Sequence, residues 1–349
     1  MLFAVSNEAA LRNKLAALLA AVLPTTWRVE TEGSGRPPGP DAWVTVTAPA
    51  GAAQRFAVEI KSRFEPRDLD YLIRQTAGWN VDAPIALVTP HLSDRSRELL
   101  LDHGFSYADL AGNIRFSGNA VFIEHTGHEQ KKPARTRIIP GSLRGPLTSR
   151  VVRYVCEATP PLGVRQIAAD TNAPPGNVSR ILRYLEKERF VDLDDRRRIV
   201  NVDWEPLIRA WGQELGRARV MRSFLEPRGP DAILKRLTGS GSAYAVTGTF
   251  AASHVVPVAI ASAIDVYVND IYDVASRINA HIPDEMGNVR LIQAYDDVVF
   301  QRTISQNGLI LANPVQIAAD LRTLPSRSED EYTELISWMK DHERIWRTA

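Results

Sequence analysis

Two stretches that alternate apolar and polar residues, between Pro40 and Lys61, constrain this chain more than any other segment. Gly39-Pro40-Asp41-Ala42-Trp43-Val44-Thr45-Val46-Thr47 leads into a small turn, Pro49-Ala50-Gly51-Ala52. Arg55-Phe56-Ala57-Val58-Glu59-Ile60-Lys61 follows it. A period of two predicts strands on both sides of a hairpin. Asp41 then starts one strand and Glu59 lies near the end of its neighbour, so the two converge. Glu59 and Lys61 are two apart and project from the same strand face. Two carboxylates and an ammonium at one sheet edge suit Mg²⁺ binding and the orientation of a water for phosphodiester cleavage.

The surrounding pattern is α/β. A helix is expected from about Asn7 to Leu23, apolar at Leu11, Leu15, Leu18, Leu19 and Val22, and a strand around Trp27 to Glu32. Pro66 opens a helix through Tyr71, Leu72 and Gln75. The apolar run Pro84 to Pro90 reads as a buried parallel strand. Ser93 caps a helix from Asp94 to Asp102. Phe105 to Tyr107 and Ile114 to Ile123 supply further strands.

This order, the Pro-Asp hairpin and the Glu-x-Lys resemble the PD-(D/E)xK superfamily of restriction-endonuclease-like proteins. Glu32-Gly33-Ser34-Gly35 is similar to the Holliday-junction-resolvase and Mrr-type branches. The resemblance covers about residues 1–127. It implies Asp41, Glu59 and Lys61 as catalytic residues, Glu8 with Asp41 and Glu59 as metal ligands, and Mg²⁺ as the cofactor.

At 349 residues two or three domains are expected. The single cysteine, Cys156, excludes a disulfide framework within the chain and a cysteine-rich zinc finger, and it reads as a small core residue on the inward side of its helix. No run approaches the ~18 apolar residues of a membrane span. No signal peptide is read at the start, so a cytoplasmic protein is expected. No GxxxxGK[ST] loop occurs, which leaves NTP hydrolysis unsupported. Net charge is only +1, so any nucleic-acid surface must be a local patch.

That patch lies in the middle of the chain. Residues 128–146 read as a basic linker with Lys131, Lys132, Arg135, Arg137 and Arg144. Residues 147–204 follow with three helices and a two-strand wing. Helix one spans Leu147 to Ala158, helix two Val164 to Thr171, and helix three Pro175 to Arg189. Val178, Ile181, Leu182 and Leu185 form the buried face of helix three. Asn177, Ser179, Arg180, Arg183 and Lys187 form the open one. Arg196, Arg197 and Arg198 stand near the wing tip. Between Lys131 and Glu205 there are 15 Lys/Arg against 9 Asp/Glu, net +6. The segment resembles a winged helix-turn-helix domain, whose third helix enters the major groove. It implies double-stranded DNA as partner, with these eight residues as the DNA-binding set.

A third domain is expected over residues 205–349, beginning with a helix from Pro206 to Leu225. Tyr244 to Thr247 and Ile264 to Val268 read as strands. Gly248 opens a helix, and further helices cover Ile271 to Ala280, Val315 to Leu321 and Glu329 to Asp341. Gly248 followed by Asp265-Val266-Tyr267 resembles the nucleotidyltransferase pattern, with tyrosine in place of the second metal carboxylate. Asp265 is therefore read as structural. Gly248 to Ser253, Asn313 to Leu321 with Leu324-Pro325-Ser326-Arg327, and Phe105 to Arg115 resemble the AbiEi antitoxins of type IV toxin–antitoxin systems. That family implies a DNA-binding autorepressor with a cognate toxin or defence partner.

The expectation is thus a multidomain α/β and α+β protein: a restriction-endonuclease-like core, a central winged helix-turn-helix and a nucleotidyltransferase-like C-terminal domain. Three readings follow. One is a sequence-directed transcription regulator of antitoxin or phage-defence type. Another is a Mg²⁺-dependent DNA endonuclease. The third is an adaptor built on degenerate enzyme folds. A homodimer is expected on DNA, with Trp338 and Trp346 as exposed interface candidates.

Overall fold

A computed structural model describes residues 14–33, 39–127, 143–256, 261, 263–280, 287–306, 308–324 and 329–347. Glu8, Ser34, Gly35, residues 128–142 of the basic linker and Pro325-Ser326-Arg327 lie outside the described residues. The chain divides into two compact units, Met1–Ile138 with Lys187–Arg189, and Ile139–Glu186 with Phe190–Ala349.

The first unit is built on a seven-stranded sheet whose strands lie side by side in chain order. They are β1 (Arg28–Gly33), β2 (Ala42–Thr47), β3 (Ala53–Ile60), β4 (Ile85–Thr89), β5 (Ser106–Asp109), β6 (Ile114–Ser117) and β7 (Phe122–His125). β3, β4 and β5 run parallel; the other neighbours are antiparallel. Helical residues 14–22 (α1) cover one face, where Leu15 and Leu19 join Val44, Phe56, Val58, Ile60 and Val88. α2 (Leu69–Ala77) and α3 (Asp94–Asp102) supply Leu69, Leu72, Leu99 and Leu100 to the cluster around Leu87 and Tyr107. Burying one such leucine is worth about 1.5–3 kcal/mol. Alternation along β3 and β4 sorts these residues into two cores. Ser93 caps α3 as expected, its hydroxyl accepting from Ser96 N at 3.1 Å.

The second unit begins with α4 (Pro146–Glu157), α5 (Val164–Asp170) and α6 (Pro175–Lys187), then a two-stranded wing, β8 (Val191–Leu193) and β9 (Ile199–Val202). α7 (Trp204–Ala218) leads to a six-stranded mixed sheet in the order β10 (Met221–Phe224), β13 (Val289–Gln293), β12 (Ile264–Val268), β11 (Tyr244–Thr247), β15 (Leu309–Leu311), β14 (Ile304–Gln306). Around it stand α8 (Pro230–Gly239), α9 (Gly248–Val255), α10 (Ile271–Arg277), α11 (Pro314–Leu321), α12 (Glu329–Asp341) and α13 (Glu343–Trp346). One continuous core runs from Val151 and Leu182 through Trp211 to Val266 and Leu335. α7 crosses α11 closely at Gly212, where a Cβ would stand 2.6 Å from the Ala319 carbonyl oxygen.

Two expectations need correction. The helix expected to reach Leu225 stops at Ala218, and Met221–Phe224 pairs with Val289–Ile292 instead. A partner some seventy residues downstream overrides local periodicity there. Trp346 is buried rather than exposed: its ring meets Trp204 edge-on at 5.1 Å and its indole N–H donates to Met339 O at 2.8 Å. Trp338 is half-buried and stacks on His342.

Candidate functional site

Hairpin register assembles the first site. Ala42 pairs with Val58, so Asp41 falls opposite Glu59 across the β2–β3 ladder. Directly opposed residues in such a ladder share a face, with Cβ atoms about 4.5–5.5 Å apart. Asp41 Oδ2 accepts from Ile60 N at 2.7 Å, which fixes the aspartate against the end of β3. Glu59 is 2% exposed and forms an ion pair with Lys61 through Oε1. Its other oxygen, Oε2, is buried without a hydrogen-bond partner. Burial pushes the Glu59 carboxyl above its ordinary range; the hydrogen bond from Lys61 works against this, and the negative charge of Asp41 adds to it.

Gln75 completes the cluster from α2. Its amide donates to Glu59 Oε1 at 2.7 Å, and its carbonyl oxygen accepts from Lys61 Nζ at 3.1 Å. In the sequence Gln75 falls on an expected helix with nothing to mark it as functional. Its only signal is the helical position that brings it back over β3.

The donor set fits a small hard cation. Mg²⁺ is usually held by one or two carboxylates, with waters and substrate phosphate oxygens completing the octahedron. Asp41 and Glu59 supply two, and the unpartnered Glu59 Oε2 is the acceptor that lacks a donor. Among the described residues no group of three or more His, Cys, Asp or Glu side chains surrounds a metal position.

The second site is the open face of α6. Val178, Leu182 and Leu185 are buried, at i, i+4 and i+7. Gly176, Arg180 and Arg183 repeat that spacing on the exposed side, with Asn177 and Ser179 half-exposed beside them. Lys187 ends the helix, about 15 Å along the axis from Asn177. The wing arginines divide. Arg197 makes a two-pronged pair with Glu186 at 2.7 and 2.8 Å, and Arg198 Nε donates to Asp194 at 2.9 Å. Arg196 stays exposed, while its backbone N–H donates to Asp194. The structure adds Arg165, exposed on α5 and without an ion pair among the described residues.

α4 anchors this motif within its unit. Arg153 is fully buried, paired with Glu157 and donating to the carbonyls of Val298 and Gln301. Arg150 binds Asp296 at 2.7 Å and Thr171 O at 2.9 Å. Cys156 is buried in the same helix, and burial raises its thiol pKa.

The comparisons with known proteins bear on this second site. Residues 148–195 match the family model of the IclR helix-turn-helix domain. The chain carries an IclR-type helix-turn-helix DNA-binding domain. That domain supports a DNA-binding transcription regulator of winged-helix type. No curated protein and no solved structure matches the chain. Among the described residues no helix is long and apolar enough to cross a membrane.

In the C-terminal part, Asp265 is 1% exposed and is clamped by Arg290, whose Nη2 lies 2.7 Å from Oδ2. Tyr267 on the same strand face donates to Asp320 at 2.9 Å, and Thr247 donates to that aspartate at 2.6 Å. Gly248 (φ 66°) passes so close that a Cβ would meet Asp265 Oδ2 at 2.6 Å. Each carboxylate there is taken up by protein donors, in keeping with a structural Asp265.

Proposed function

We propose that this protein is a sequence-directed DNA-binding protein whose N-terminal unit is a Mg²⁺-dependent DNA endonuclease of the restriction-endonuclease-like class. The carrying observation is the buried Glu59 carboxylate, opposite Asp41, with one oxygen held by Lys61 and Gln75 and the other unpartnered. Asp41 and Glu59 would hold the ion. A bound divalent ion supplies Lewis-acid stabilisation of charge growing on a phosphate. Lys61 orients the attacking water or offsets that charge. Gln75 keeps Glu59 and Lys61 in register. The IclR-type domain brings the chain to DNA through Arg180, Arg183 and Arg196, with Asn177 and Ser179 nearest the base edges.

Titration of the full-length protein with Mn²⁺ tests the metal site. One ion per chain should bind with wild type, and binding should weaken at least tenfold in Asp41→Asn. Absence of any saturable ion would overturn the proposal.

A second reading has its own observation. The Lys61 ammonium closes directly on Glu59, so an internal cation already offsets the carboxylate. On that reading the N-terminal unit is a scaffold, and the protein is a transcription regulator of antitoxin or phage-defence type. It would act as a homodimer on paired half-sites, with a cognate toxin or defence partner. Binding to DNA upstream of its own coding sequence, with repression unchanged in Asp41→Asn, would favour it.

A further inference from the structure

Tyr71 is 60% exposed, among the most open large side chains of the described residues. It stands on α2 one turn before Gln75, and Lys61 Nζ lies 5.6 Å from the centre of its ring. The core face of α2 is supplied by Leu69, Leu72 and Thr76, so packing does not need the tyrosine. Arg74, three residues on, is exposed and makes no ion pair among the described residues. Arg67, one turn earlier, is held by Glu65 at 3.0 Å. A large ring left in water beside a carboxylate–lysine cluster is a surface for a flat partner.

We infer that Tyr71 is a base-stacking positioning residue, and that the site takes DNA with an unpaired base next to the phosphate to be cut. This rests on the endonuclease reading above. Bases inside a duplex have both faces covered by neighbours. An aromatic side chain can take a base face only from a single strand, a gap or an extruded nucleotide. A phosphate at Lys61 would leave the adjoining base within reach of the ring, with Arg74 placed for the next phosphate.

The test uses the full-length protein and an oligothymidylate of about 12 nucleotides with one 2-aminopurine, in EDTA, so that no cleavage is needed. Wild type should bind it and quench the reporter by stacking. Tyr71→Ala should weaken binding about 5- to 150-fold, the equivalent of ~1–3 kcal/mol, while Tyr71→Phe keeps it. Equal affinity of the alanine variant, or no binding by wild type, overturns the stacking role. With Mg²⁺ present, gapped DNA should be cut faster than intact duplex, and Tyr71→Ala should remove that preference. Equal cutting of both by wild type overturns the substrate inference alone. No cutting of either overturns the endonuclease reading, and the stacking measurement still decides the role of Tyr71.

Discussion

Gln75 joins helix α2 to strand β3 through two opposite bonds, donating to Glu59 Oε1 at 2.7 Å and accepting from Lys61 Nζ at 3.1 Å. A neutral amide thereby holds a buried anion and a cation together. Gln75→Ala should leave folding intact and loosen both charged groups. Ion affinity should fall several-fold, less than in Asp41→Asn, as read by the same Mn²⁺ titration. Gln75→Glu should instead destabilise the metal-free protein, because a third carboxylate beside Glu59 opposes ionisation.

Glu59 makes stability depend on pH in a stated direction. Its carboxyl is raised above the ordinary 4.5, first by burial. Between that value and the raised one, the folded state keeps a proton that the unfolded state releases. The contribution of Glu59 to stability is therefore most favourable below 4.5 and falls as pH rises through the window. Glu59→Gln should remove this cost. In metal-free buffer at pH 7 the N-terminal unit should melt higher, by about 2–8 °C for each ~1 kcal/mol relieved. Mg²⁺ should raise the melting temperature of wild type and not of the variant. A variant less stable than wild type at pH 7 would contradict the electrostatic picture.

DNA binding should be strongly salt-dependent. Arg180 and Arg183 are exposed on one face of α6, whereas Arg197 and Arg198 are held by Glu186 and Asp194. Removing one arginine from a phosphate should lower the slope of log affinity against log salt by about 0.9. Arg180→Ala with Arg183→Ala should reduce it by about 1.8 if both clamp phosphate. Arg197→Ala should change it less. Fluorescence anisotropy across a salt series measures both.

Arg153 is the buried bolt of the second unit. Arg153→Ala would leave two carbonyls without their donor and Glu157 with only the longer Arg302 contact at 3.4 Å, and breaking a buried pair costs about 3–5 kcal/mol. Urea denaturation should show the destabilisation, with weaker DNA binding because α4 carries the helix-turn-helix motif. Arg153→Met with Glu157→Leu should recover much of the stability, since apolar replacement of a buried pair is often neutral.

Local patterns carried much of this molecule. Alternation between Trp43 and Ile60 predicts the hairpin, and its register follows from a short turn, so Asp41 opposite Glu59 was legible. Ser93 announced its helix for the same reason: a cap acts within three residues. Gln75 carried no such mark, because its role depends on how α2 packs over β3. Met221–Phe224 looks helical until its distant partner is counted. The wing arginines look alike in sequence, and only the fold separates Arg196 from the paired Arg197 and Arg198.

The endonuclease proposed for the N-terminal unit rests on Asp41, Glu59 and Lys61. Cleavage of plasmid, gapped and branched DNA by the full-length protein, with Mg²⁺ or Mn²⁺ and at saturating protein, tests it most directly. Wild type should cut, EDTA should stop it, and Asp41→Asn, Glu59→Gln and Lys61→Ala should each lower the rate at least a hundredfold with DNA binding retained. Binding of the same DNAs by wild type, with no metal-dependent cut in any of them, would contradict the account.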